Sequence, residues 1–211
     1  MTATTSGKPA TTGWTEGWGL FWTLTLALAA MALAFLVAIG WDTEGYRMVI
    51  RATARTSLAL FLAAFAASAA FKLWPGRFTR WLRRNRRQIG LGFAMSHFIH
   101  ALAIIALWRT DPGMFWLLSN PRSIAIGGAA YVVIALLAAT SFDRMATLLG
   151  PKLWSRLHWW GAWIVALSFI FTNGKRIPVS GWYVLPVALV VAIIILRVSA
   201  GRKQREAATP A

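Results

Sequence analysis

Three histidines are the residues of this 211-residue chain best suited to do chemistry. His97 and His100 stand three apart in the apolar run GLGFAMSHFIHALAIIALW, just after the charge run RFTRWLRRNRR, and His158 lies in SRLHWWGAW. An imidazole in hydrocarbon is costly unless it faces protein, water or a cofactor, so each ring is a functional candidate. No cysteine occurs, which excludes disulfides, iron–sulfur clusters and thiolate metal sites. There is no nucleotide-binding glycine loop, no HExxH motif and no extramembrane stretch long enough for a flavin or nucleotide domain. Any reaction must therefore use a membrane-embedded cofactor or a separate partner. Axial ligation of haem is the best physical use of these imidazoles.

The elements that position them follow from composition. Hydrophobic residues make up 58% of the chain, in runs too long and too numerous for a soluble core. Six spans can be drawn: about Gly17 to Ile39, Thr56 to Leu73, Ile89 to Trp108, Ile124 to Ser141, Leu157 to Thr172, and Trp182 to Val198. Lipid leaves no unpaired backbone group a partner, so all six are expected to be helices, giving an all-α bundle of six transmembrane helices over residues 17–198. The fifth span is short and crosses the hydrocarbon only if flanking residues join it. Pro186 is a candidate kink in the sixth, and Gly127 and Gly128 favour close helix packing in the fourth. The first span reads as a retained helix, because only Lys8 precedes it and no A-x-A site follows. Residues 1–16 are expected to form a short disordered cytoplasmic tail, and 199–211 a basic cytoplasmic one.

Orientation follows from the basic residues. Lys72, Arg77, Arg80, Arg83, Arg84, Arg86 and Arg87 crowd the second connection, Arg144, Lys152 and Arg156 follow the fourth span, and Arg197, Arg202, Lys203 and Arg205 follow the sixth. All fall on one side if both termini are cytoplasmic. Arg47, Arg51, Arg55, Arg109, Arg122, Lys175 and Arg176 are left for the other side. A net charge of +16 could point to nucleic acid, but these cations flank apolar spans, where anionic headgroups and the positive-inside bias account for them, so membrane lipid and no nucleic acid is the expected contact. Most of the thirteen tryptophans likewise sit near predicted interfaces.

Depth separates the histidines. At ~1.5 Å per residue, His97 lies ~15 Å and His100 ~20 Å above Arg87, whereas His158 lies only ~3 Å above Arg156. A single haem clamped between His100 and His158 would need similar depths, and these differ by ~17 Å. Arg55 is placed where it could grip a haem propionate in a bidentate manner, or else anchor at headgroups or pair with Asp42 or Glu44. Lys175 and Arg176 are weaker candidates of the same kind.

Three segments resemble the haem-binding membrane subunits of the ferric-reductase-like transmembrane superfamily, especially the MsrQ (YedZ) branch: ARTSLALFLAAFAAS at Ala54 to Ser68, RRQIGLGFAMSHFIHALA at Arg86 to Ala103, and LGPKLWSRLHWWGAWIVAL at Leu149 to Leu167. The resemblance covers roughly Arg55 to Arg197. It implies haem b in a bacterial inner membrane, with ligands on the third and fifth spans, so that His100 and His158 match ligand positions. It also implies a periplasmic oxidoreductase as electron acceptor. Such proteins carry a second histidine on the fifth span about thirteen residues beyond the first; here that position is Phe171, which cannot ligate iron. A haem on His100 could have a weak or absent sixth ligand, or a tilt or register shift could bring His158 to His97 or His100, with Asn173 or water completing the site; loss of haem with the scaffold kept is the other alternative.

With haem, one-electron transfer follows, from a cytoplasmic flavin protein (a flavin reductase) or a quinol to an outer-side acceptor. Trp159, Trp160 and Trp163 could shorten a tunnelling path, although helix packing is the better explanation for most of them. The rival reading is a haem-free six-helix scaffold that stabilises a partner. A small transporter is the third, though no pair of interrupted helices marks an ion site.

Overall fold

The computed structural model describes residues 13–206, of which 204–206 are described as backbone alone. The tail expected over 1–16 therefore lies mostly outside the described residues, as do positions 207–211 of the basic one. Among the described residues the chain is helical, with no strand. The order is α1 (Gly17–Ile39), α2 (Thr43–Leu73), α3 (Arg77–Arg84), α4 (Arg86–Thr110), α5 (Pro112–Leu118), α6 (Pro121–Ala139), α7 (Asp143–Gly174), a 3₁₀ turn (Gly181–Tyr183) and α8 (Val184–Glu206).

Five helices are long and apolar enough to cross a membrane: α1, α2, α4, α6, and the stretch Gly181–Lys203 that contains most of α8. The fifth expected span falls in α7, which is not among them. Its length is adequate, since residues 151–174 rise ~36 Å at ~1.5 Å per residue. Its composition is what falls short, because His158, Trp159, Trp160, Trp163 and Asn173 dilute the aliphatic residues. α7 is two arms joined at Gly150, whose φ of 71° suits a residue without Cβ. Pro151 then opens the second arm, where its missing N–H has no helical partner to lose.

Two boundaries and one expected kink differ from the sequence expectation in ways that bear on the site. α2 begins at Thr43, well before Thr56, because Asp42 accepts hydrogen bonds from the Glu44 and Gly45 amides and Glu44 pairs with Arg47 at 2.7 Å and Arg51 at 3.6 Å. These charges hid the helix from a hydropathy reading while Val49 and Thr53 faced inward. α8 continues to Glu206, through much of the stretch read as a tail. Pro186 sits in the first turn of α8, where proline is tolerated, and so helps start that helix instead of kinking it.

α2 is the central element, packing on α1, α3, α4 and α8. The main core joins it to the others through Phe61 and Phe65 of α2, Phe93 of α4, Ile134 of α6, Val165, Ala166 and Phe169 of α7, and Val190 of α8. A smaller cluster at the arginine-rich end holds Leu20, Ala67, Leu82 and Ile89, and another at the opposite end holds Ala32, Val49 and Ala103. Outward-facing Leu26, Leu33, Val37, Val132, Leu136 and Ile195 are exposed, a distribution suited to lipid and not to water. At the arginine-rich end the buried Asn85 accepts from the Gly17 amide at 2.9 Å, and Arg87 pairs with Asp143 at 2.7 Å. At the opposite end Thr43 donates to Asp111 at 3.1 Å, tying the start of α2 to the cap of α5.

Close packing of α6 on α7 depends on Gly161, since a Cβ there would stand 2.8 Å from Cδ2 of Leu137. Gly161→Leu should lower thermal stability in detergent by about 1–3 kcal/mol through overpacking. Gly127→Ala, whose Cβ meets no atom within 4 Å, should leave it unchanged; equal melting of the two variants would contradict this packing.

Candidate functional site

The site grows from a polar seam between α2 and α4. Thr53, Ser57 and Ser96 are fully buried along it. Ser57 donates to the Ser96 hydroxyl at 2.9 Å, Thr56 lies 2.9 Å from the same oxygen, and Ser96 donates to the Thr53 carbonyl at 3.2 Å. One turn further along α4, His100 Nδ1 meets the Thr53 hydroxyl at 2.9 Å. That hydroxyl has one proton, and its shortest bond, 2.6 Å, carries it to the Val49 carbonyl. Nδ1 of His100 must therefore be the donor, which places the ring's lone pair on Nε2, the nitrogen a metal would take.

His97 is 5.7 Å from His100, ring centre to ring centre. It is packed by Phe93 at 4.8 Å, Tyr131 of α6 at 5.4 Å and Phe169 of α7 at 5.9 Å. Its buried Nδ1 has no hydrogen-bond partner, and neither has the buried Tyr131 hydroxyl. An unsatisfied buried polar atom costs about 1–3 kcal/mol, and two side by side are unusual in a packed interior.

His158 stands apart. Its Nε2 lies 3.0 Å from the Thr140 hydroxyl, which bonds the Leu136 carbonyl at 2.6 Å, so here Nε2 donates and Nδ1 keeps the lone pair. Trp154 stacks on the ring at 4.3 Å and donates to the Thr140 carbonyl at 2.8 Å. The offset from the other pair can be read along two helices. Tyr131 and Thr140 are separated by ~14 Å on α6, and Phe169 and His158 by ~17 Å on α7, at ~1.5 Å per residue. His97 and His100 are thus brought together, while His158 occupies the arginine-rich end. One haem held by both His100 and His158 does not fit.

The remaining candidates fall as follows. Arg55 is exposed and lies inside α2, not at its start. It has no acidic partner among the described residues: Glu44 is held by Arg47 and Arg51, and Asp42 caps α2. Phe171 is 42% exposed, whereas the face of α7 toward His97 is presented by Phe169, two residues earlier. Asn173 turns back on its own helix, donating to the Phe169 carbonyl at 2.8 Å. Lys175 donates to Ser123 at 2.6 Å, and burial, then the neighbouring Arg176, pulls its ammonium below the ordinary lysine range. Arg176 donates to the Tyr183 hydroxyl at 3.3 Å.

No protein-family model, curated protein or solved structure matches the chain. His100 offers one oriented lone pair, and the orphaned His97 and Tyr131 atoms lie beside it. An imidazole nitrogen with a free lone pair is the donor that a haem held by one histidine would need. Among the described residues no cluster of three or more His, Cys, Asp or Glu forms a metal-only site.

Sequence reasoning named the rings but missed Thr53, Ser57, Ser96, Tyr131 and Thr140. The available signal was the Thr53 to Ser57 spacing of four residues, one helical face, opposite Ser96 beside His97. Thr53→Val should strip His100 of its acceptor and lower stability by about 1 kcal/mol, whereas Thr53→Ser should be near neutral. Denaturant titration in mixed micelles measures both, and a valine variant as stable as wild type would contradict the bond's role.

Proposed function

We propose that the chain is a membrane-embedded b-type haem protein of the MsrQ-like, ferric-reductase-like kind, carrying electrons across a bacterial inner membrane. In this reading α7 is a sixth crossing, both termini are cytoplasmic, and the arginine-rich end faces the cytoplasm, where basic residues concentrate. The observation that carries the proposal is the orientation of His100, whose Nδ1 is committed to Thr53 and whose Nε2 is left as a lone pair. Haem, when bound, supplies one-electron redox chemistry. His100 would hold it, and His97 and Tyr131 would line its polar side. His158, fixed by Thr140 and stacked on Trp154, is a separate imidazole near the cytoplasmic surface, suited to a second haem or to a quinol. A cytoplasmic flavin reductase or a quinol would be the electron donor and a periplasmic oxidoreductase the acceptor.

One observation favours a second reading, a haem-free scaffold that stabilises a partner. Phe61, Phe93 and Phe169 contact one another at 5.3 to 6.2 Å and close the space between α4 and α7 beneath His97. A reduced-minus-oxidised spectrum with a haem-to-protein ratio separates the two. Protein purified from haem-replete cells should show paired Soret and reduced alpha bands of b-type haem. His100→Ala should lower occupancy several-fold relative to a folded control, Phe171→Ala. Pigment-free wild-type protein would overturn the redox proposal in favour of the scaffold, and unchanged occupancy in His100→Ala would overturn the ligand assignment.

A further inference from the structure

A second binding feature lies at the arginine-rich end, between α2, α7 and α8. A cleft of about 170 Å³ is lined by Ser68 and Lys72 of α2, Trp159 and Trp163 of α7, and Arg197 and Gly201 of α8, among others. It adjoins a second hollow of about 250 Å³ that shares Lys72 and extends to Lys203. Neither lining contains an acidic residue. Asp143, at the same end of the bundle, is paired with Arg87.

Arg197 is the centre of the cleft. One of its NH groups donates to the Phe65 carbonyl, and its guanidinium lies 4.1 Å over the Phe65 ring and 5.9 Å from that of Trp163. Its Nε is buried and has no partner. A guanidinium has five N–H donors in a rigid planar fork, and among the described residues no acidic side chain lines the cleft to accept the rest. The group is held flat by the aromatic and backbone contacts, so its position does not depend on a bound anion. Arg86 adds a second cation at the rim, donating to Ser68 at 3.1 Å.

The chemistry that satisfies this arrangement is a phosphate: two oxygens for the guanidinium fork, with the spread cations of Lys72 and Lys203 nearby. The location selects its carrier. The cleft opens at the end of apolar helices where phospholipid headgroups lie, and Trp159, 49% exposed, stands where an acyl chain would pass. Basic pockets between membrane helices on the cytoplasmic side are recurrent headgroup sites. We infer that this cleft binds the phosphate headgroup of an anionic phospholipid from the surrounding leaflet. The inference rests on the membrane placement of the helices and not on haem.

Native mass spectrometry of detergent-purified protein, titrated separately with phosphatidylglycerol, phosphatidylcholine and soluble glycerol phosphate, tests it. Phosphatidylglycerol should be retained at least several-fold better than either of the others. Arg197→Gln should abolish that preference, and Arg202→Gln, an exposed control, should keep it. Gly201→Leu supplies an independent check, because its Cβ meets no atom within 4 Å and the side chain should obstruct the cleft without disturbing helix packing. It too should lose phosphatidylglycerol. Equal retention of the two lipids, or unchanged retention in both Arg197→Gln and Gly201→Leu, would overturn the site. Glycerol phosphate binding as tightly as phosphatidylglycerol would overturn the lipid assignment in favour of a free phosphate.

Discussion

Hydrocarbon offers no hydrogen-bond partner, and the arrangement of α2 against α4 follows from that scarcity. Thr53, Thr56, Ser57 and Ser96 would each be a liability on a lipid-facing surface. Gathered on one seam, they satisfy one another and nearby carbonyls. The network has one consequence beyond packing. Because the Thr53 proton goes to the backbone, the hydroxyl can only accept from His100, and the ring's tautomer is determined by its neighbour on another helix.

The same device occurs at the other end of the bundle. Thr140 bonds its own helix four residues back and accepts from His158, just as Thr53 does for His100. The two rings differ in which nitrogen donates, so their lone pairs fall on Nε2 of His100 and Nδ1 of His158. Between the two levels lies the aromatic core of Phe61, Phe93 and Phe169, whose burial holds α2, α4 and α7 together. Two oriented imidazoles at two depths, separated by packed rings, describe a protein with two polar positions along its membrane normal. A single clamp across the bundle is not what this arrangement makes.

Much of this was legible from residue order. Apolar runs located α1, α4, α6 and α8, and counting ~1.5 Å per residue anticipated that His158 would stand well below His100. Hydropathy failed where charge and apolar residues share a helix: the first turns of α2 carry Glu44, Arg47 and Arg51 on one side while burying Val49 and Thr53 on the other. It also failed to distinguish the faces of α7, where Phe169 and not Phe171 meets His97. The threonine partners were only half legible: the Thr53 to Ser57 spacing marks one helical face, but which neighbouring helix that face meets is recorded by no spacing within one segment. Arg55 illustrates the converse: its chemistry and segment were legible, but it is exposed and lies inside α2 rather than at its start.

The most direct measurement is nitrogen-15 NMR of ring-labelled histidine, practical in a chain with only three such residues, each assigned by its own substitution. The account predicts that His100 carries its proton on Nδ1, with Nε2 bare or shifted by a bound metal, and that His158 carries its proton on Nε2. A proton on Nε2 of His100 would contradict the account, since the threonine seam would then not be setting the ring's chemistry.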